Sequence, residues 1–227
     1  MINLNLKRTA YDKYIPYLLG ILLLIGASLL GWWGYRLYLD RVEQSAFRDL
    51  AESIEAFDKY MESGDKQSLG TDKLEDLERA FVFGAQKYDK SKLVPIFYLY
   101  KADILIQKGD FTAAIDAIDS AINKVEQNNP FYYLLVTKKA LLESDNELSK
   151  EQGLKELNDL ATNAQNPFAA MASYYLGLYY YHINNDKENI DKAKTIWQSA
   201  LDRQEHLAAT KECSWCELIR SKLKTIS

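Results

Sequence analysis

The sequence predicts an all-α chain with one membrane-spanning helix near its N-terminus, a solenoid of paired helices after it, and a capping helix at the end. Three observations carry this. Residues 14–35 hold no charged side chain. Downstream, apolar residues recur at spacings of three and four over long stretches, as on amphipathic helices, with only four Pro and ten Gly in the whole chain to interrupt them. Finally, Pro95, Pro130 and Pro167 each open a predicted aromatic-rich helix, at spacings of 35 and 37 residues. A fixed period of that size marks a helical repeat array.

The uncharged run comes first. Its 22 residues reach about 33 Å as a helix, enough to cross a hydrocarbon core of about 30 Å. Lys13 and Arg36 bracket it, and Tyr14, Tyr17, Trp32, Trp33 and Tyr35 sit near its ends, where amphipathic rings favour the headgroup zone. Gly26-Ala27-Ser28 offers a small-residue cleavage pattern, but Leu29-Leu30-Gly31-Trp32-Trp33 continues the apolar run beyond it. That continuation reads as a retained anchor, not a cleaved signal peptide. Ala27 and Gly31 have the small-xxx-small spacing that lets membrane helices approach. Lys7, Arg8 and Lys13 before the anchor balance Arg36, Arg41 and Arg48 after it, and the acids Asp40, Glu43, Asp49 and Glu52 tip the reading towards an N-terminus inside.

About 190 residues follow the anchor, enough for one domain with a real core. The net charge is −4, and mean hydropathy is −0.31 despite the anchor. No cluster of Lys and Arg forms a nucleic-acid footprint. Residues 1–13 read as a short tail and 36–92 as a linking amphipathic helix with a first helical pair. Val42, Ala46, Leu50, Ile54, Phe57 and Met61 form one stripe of that first helix, which either runs on from the anchor or bends near Gly34 and ends at Ser63-Gly64-Asp65. A second helix is predicted at about 72–88, with Leu74, Leu77, Phe81 and Tyr88 inward.

Residues 93–205 hold the repeats. Proline suits the first turn of a helix, where the amide it lacks has no partner. In the first unit Ala102 is a small residue in the first helix, Gly109-Asp110-Phe111 makes the turn, and Ala114, Ile118 and Ala121 follow. In the third, Leu176-Gly177 and Tyr180 precede Ala193, Trp197 and Ala200, across a turn lengthened by 184–189. The middle unit is degenerate: Ala140, Gly153, Leu157 and Leu160 fit, but the Gly-Asp turn is missing. This pattern resembles the tetratricopeptide repeat, and the resemblance implies a right-handed solenoid. A capping helix is predicted at 206–227, on a stripe of Trp215, Leu218, Ile219, Leu223 and Ile226. A polar-faced cap is what a short repeat array requires.

Catalysis finds no support in the sequence. The two histidines, His182 and His206, sit in no nucleophile or metal motif, and no glycine-rich phosphate loop occurs. The reading is no enzyme, no metal and no cofactor. Cys213-Ser214-Trp215-Cys216 is the sharpest local pattern. It reads as two ordinary thiols, as a disulfide that would distort a regular helix, or as a redox or metal half-site.

Tetratricopeptide-like proteins bind peptides in a groove lined by the first helix of each unit. Carrying those positions over points to Ile96, Leu99, Asp103 and Ile106, then to Leu134 and Thr137, then to Met171, Tyr174, Leu178, Tyr181 and His182. Tyr and Met suit adaptable contact. Each of these positions also fits the core between repeats.

The order of parts resembles the ancillary Sec-translocon subunit family of the bacterial inner membrane. The residues that carry it are Gly31-Trp32-Trp33-Gly34-Tyr35-Arg36 closing the anchor, Asp40-Arg41-Val42-Glu43-Gln44-Ser45-Ala46 after it, and Ile196-Trp197-Gln198-Ser199-Ala200-Leu201 near the end. The similarity covers most of the chain. The turn at 184–189, the sixteen Tyr and the Cys pair depart from it. The resemblance implies a single-pass inner-membrane protein with a cytoplasmic N-terminus and a periplasmic repeat domain. It also implies contacts with Sec translocon subunits and periplasmic chaperones. The competing readings are a tetratricopeptide-like import receptor with a cytosol-facing domain, an envelope-complex scaffold, and a thiol oxidoreductase acting through Cys213 and Cys216.

Overall fold

The computed structural model describes residues 15–63, 70–183, 186–207 and 213–226. The expected tail at 1–13, Tyr14, the stop at Gly64-Asp65, Asn184 and Asn185 at the start of the 184–189 stretch and the side chain of His206 lie outside the described residues. Among the described residues the protein is wholly helical. The helices are α1 (Ile15–Glu62), α2 (Gly70–Lys87), α3 (Val94–Lys108), α4 (Phe111–Ile122), α5 (Pro130–Asp145), α6 (Lys150–Thr162), α7 (Ala169–Ile183), α8 (Lys187–Leu207) and α9 (Ser214–Thr225).

α1 is one helix of 48 residues, roughly 72 Å at 1.5 Å per residue. It passes through Gly34 without a break, so the linking helix and the anchor are one element. Its apolar N-terminal part is exposed, with Leu22, Leu23, Leu24 and Leu30 free of neighbours that would bury them. No atom of the described residues stands within 4 Å of where a Gly31 side chain would begin, so nothing among them covers the chain at that glycine. α1 is the one helix among the described residues long and apolar enough to cross a membrane.

Beyond the anchor, each helix packs chiefly on its neighbours in the chain, and α9 packs on both α7 and α8. Four apolar clusters follow in sequence order. The first joins α1, α2 and α3 around Ala46, Leu50, Phe81 and Phe97. The second lies among α3, α4 and α5 around Ala102, Ala114, Ile118 and Leu135. The third lies among α5, α6 and α7 around Ala140, Leu157 and Leu176. The fourth lies among α7, α8 and α9 around Ala193, Trp197, Cys216 and Ile219.

Local chemistry explains the helix boundaries. Gly109 ends α3 in the left-handed region at φ 78°, where a Cβ is strained. Asp110 then caps α4, its side chain accepting from the Ala113 amide at 3.0 Å. Asn129 and Asn166 accept from the amides of Phe131 and Phe168, each at 2.9 Å, so Asn-Pro-Phe starts two helices by one device. Pro130 is the first residue of α5. Pro167 instead lies in the turn before Ala169. It therefore precedes its helix and does not open it. Asn166 is held further back by donating to Leu160 O at 2.9 Å.

The small residues stand where helices come closest. A Cβ on Gly153 would meet backbone atoms of α5, 2.5 Å from Ser144 N and 2.6 Å from Ala140 O. One on Gly177 would meet the Trp197 indole at 2.1 Å. Two terminal expectations change. α8 continues to Leu207, so the capping helix begins at Ser214 and not near 206. Leu218 is 45 % exposed and Cys216 is buried, while Trp215, Ile219, Leu223 and Ile226 of the expected stripe do pack on the last cluster.

Candidate functional site

Most of the groove positions carried over from the repeat are occupied by the fold itself. Ile96 packs on the first cluster, and Leu99 and Ile106 on the second. Thr137 is buried and donates its hydroxyl to Tyr133 O at 2.7 Å. Met171 is also buried. These two are corrected from groove to core, because α5 packs on α4 and α6, and α7 on α6, α8 and α9, which leaves no free face at those positions. Tyr174 and Tyr181 turn towards the last cluster. The Tyr174 ring lies 5.6 Å from Trp215 of α9, and the Tyr181 ring lies 6.3 Å from Trp197 of α8. Leu134 is only partly buried. Asp103 forms an ion pair with Lys138, tying α3 to α5.

Leu178 and His182 do come together, in an open cleft of about 530 Å³ where α5, α6 and α7 meet. Leu141, Leu157 and Leu178 line it with Tyr175, Tyr179 and His182, and Asp145 and Lys150 also belong to its lining. Lys150 Nζ lies 5.3 Å from the centre of the Tyr179 ring, a cation–π contact. His182 is exposed, with its ring edge-on to Tyr181 at 4.9 Å. Tyr175 and Tyr179 were not among the groove positions, yet they dominate the cleft. Their signal is present in the sequence: 175, 178, 179 and 182 follow the i, i+3, i+4, i+7 spacing of one helix face.

The cleft is lined mainly by apolar and tyrosine side chains, with one residue of each charge among them. Among the described residues, no group of three or more His, Cys, Asp or Glu is placed to hold a metal ion.

A charged network joins α4, α5 and α6. Lys139 Nζ pairs with Asp119 of α4 at 2.8 Å and stands 3.7 Å from Glu143. Burial works against the Lys139 charge, but the hydrogen bond to Asp119 and the surrounding carboxylates outweigh it and raise its pKa. Glu156 of α6 is pushed above the ordinary carboxylate range, first by burial and then by the nearby Glu143 charge, against the pull of Lys139. Glu143 itself is buried, and its Oε2 has no hydrogen-bond partner among the described residues.

Cys213 and Cys216 are joined in a disulfide. The bridge leaves the helix regular because Cys213 is not in it. Cys213 is the N-cap of α9 in extended backbone (φ −118°, ψ 93°), and its Sγ accepts from the Cys216 amide at 3.2 Å.

No protein-family model matches this chain, and no curated protein matches it significantly.

Proposed function

We propose that the protein is a membrane-anchored interaction module, in which a tetratricopeptide-like, right-handed array of helix pairs holds a partner polypeptide at the cleft of α5, α6 and α7. The observation that carries this is the junction of two features on one chain. An exposed apolar span runs without a break into a domain of helix pairs, and that domain presents an open, tyrosine-lined cleft. The four clusters strung in sequence order support the repeat reading, because stacked repeats bury a continuous core in that way. The reading gives the cleft no catalytic step.

The resemblance to the ancillary Sec-translocon family supplies the setting. It gives an inner-membrane span with the N-terminus cytoplasmic, repeats in the periplasm, and Sec translocon subunits and periplasmic chaperones as partners. Anchoring such a domain beside an exit site raises the local concentration of what it binds. The closed Cys213–Cys216 bridge favours an oxidising compartment over a cytosol-facing receptor.

The test is protease protection in spheroplasts with a tag after Ser227, combined with photo-crosslinking from position 179. Removal of the tag by outside protease, with crosslinks to translocon subunits or emerging chains, is the expected result. A tag protected until the inner membrane is lysed would overturn the topology and favour the receptor or scaffold readings.

A further inference from the structure

Holding a partner chain makes no use of the Cys213–Cys216 pair, yet its two sulfurs are chemically unequal. Cys213 is partly exposed at the start of the 12-residue α9, with the Cys216 N–H directed at its Sγ. A sulfur held there is favoured as thiolate by the amide and by the positive end of the helix dipole. Cys216 lies one turn further on, 2 % exposed, within the apolar cluster of α7, α8 and α9. Apolar surroundings disfavour a thiolate. The loop that the bridge closes is short, its cysteines three positions apart, and a short loop removes little entropy from the unfolded chain. Stapling the fold is therefore a weak account of it.

We propose that Cys213–Cys216 is a thiol–disulfide exchange site, with Cys213 the accessible sulfur and Cys216 the resolving one, and that it acts on cysteine thiols of a polypeptide. A substrate thiolate attacks Cys213 Sγ. The Cys213–Cys216 bond breaks, and its electron pair leaves on Cys216 Sγ, which takes a proton from water. The substrate is now joined to Cys213 by a mixed disulfide. A second substrate thiolate attacks the substrate sulfur, and Cys213 departs as thiolate, a good leaving group because of its position. The substrate gains a disulfide, and two electrons reside on the Cys213 and Cys216 thiols. The bridge itself is the oxidant for this single exchange.

The choice of a polypeptide comes from Trp215, which lies between the two cysteines. Its ring is 5.6 Å from Tyr174 and 5.6 Å from Tyr175, and Tyr175 lines the cleft. Aromatic surface thus runs from the sulfurs to the place where a chain is held. This choice of substrate rests on the cleft being a binding surface; the exchange chemistry does not.

The experiment uses the full chain in nanodiscs. C216S leaves Cys213 as the single cysteine, and its alkylation by iodoacetamide is followed against pH. The expected midpoint lies at least one unit below the roughly 8.5 of an ordinary thiol, with C213S alkylated at least about tenfold more slowly at pH 7, as burial of Cys216 requires. A midpoint at or above 8.5, or equal rates for the two variants, would overturn the assignment of roles. Oxidised wild-type protein is also mixed with a reduced two-cysteine peptide or with glutathione. This arm needs no variant to fold. Oxidation of the peptide at least about tenfold faster than of glutathione, a gap of roughly 1.4 kcal/mol in barrier, is the expected result. Equal rates would remove the polypeptide assignment and leave the exchange chemistry standing. No exchange with either thiol removes the proposal.

Discussion

Asp103 of α3 and Lys138 of α5 form an ion pair, and they stand eight residues after Pro95 and Pro130 respectively. The same position after two successive prolines therefore carries opposite charges that meet side by side. Both side chains are about one-third exposed, so solvent weakens the pair, and its coupling is expected to be about 0.5 kcal/mol. A double-mutant cycle with D103N and K138M would read it. The charge reversal D103K/K138D is expected to recover most of what either single reversal loses, and no recovery would show that these two first helices are held together by other contacts.

Gly153 and Gly177 should respond to the same methyl group in different degrees. G177A drives a Cβ into Trp197, which is fully buried and tied by its indole N–H to Tyr174 O at 3.2 Å. A cost of about 2 kcal/mol is expected. G153A meets backbone instead, which no rotamer change relieves, and should cost about 3 kcal/mol. Urea unfolding of both variants gives the order, and equal stability of G153A and wild type would mean that α5 and α6 separate freely.

Asp49 ties α1 to the end of α2. It accepts from the Tyr88 hydroxyl at 2.5 Å and from Lys87 at 2.9 Å, and these bonds, Tyr88 first, lower its pKa from 3.8. Its contribution to stability is therefore present above pH 3.8 and lost as pH falls through the lowered folded value. D49N is expected to lose about 1 kcal/mol at pH 7 and to match wild type in strong acid. Thermal melts across pH 2–7 check this, and a constant gap between the two curves would contradict it.

Glu156 has the opposite sign. Its pKa is raised from 4.5, chiefly by burial, so the preference of the fold for the protonated form is fully present below pH 4.5 and lost as pH rises through the raised value. E156Q cannot ionise. It should melt with wild type at pH 4 and about 2 °C above it at pH 7.5. A variant that melts below wild type at pH 7.5 would show that the Glu156 charge is needed by Lys139.

Tyr179 stands in the cleft with Lys150 over its ring. If the cleft holds a chain, Y179A should weaken that binding about tenfold, the range of an interface tyrosine, and leave the melting temperature within about a degree, as for a surface change. Binding of fluorescent extended peptides by anisotropy measures the first, and unchanged affinity moves the binding surface elsewhere.

How much of this was legible in the sequence depends on how far apart the partners lie along the chain. The stripes of α1 and α2 are local patterns, and Ala46, Leu50, Phe57, Leu74, Leu77 and Phe81 are buried as their spacing implies. So are Ala102, Ala114, Ala193 and Trp197, whose sizes mark close crossings. The register of the groove was not legible. Thr137 and Met171 satisfy a repeat alignment and yet are core, because which face of α5 or α7 stays open is set by neighbours elsewhere in the chain. Tyr174 faces Trp215, 41 residues on, and nothing in the pattern of α7 alone announces α9. The Asp49–Tyr88 bond spans 39 residues and has no local signature at all. Tyr175 and Tyr179 were readable from their helical spacing, but adjacent tyrosines at 174, 175, 179, 180 and 181 put a ring on every face and blur the stripe.

On the proposed membrane reading, the unbroken passage of α1 through Gly34 makes its apolar part a fixed mast. A loose tether lets its cargo sweep a hemisphere above the bilayer, whereas the 27 residues from Arg36 to Glu62 form a rod of roughly 40 Å. Height and compass bearing of the domain are then set by the helix in the lipid. One residue inserted between Arg36 and Val42, before the domain grips the rod, lifts everything above it by about 1.5 Å and swings it by about 100°. A neighbour in the same bilayer meets this domain at one altitude and one azimuth, and turning the helix in the membrane turns the cleft with it.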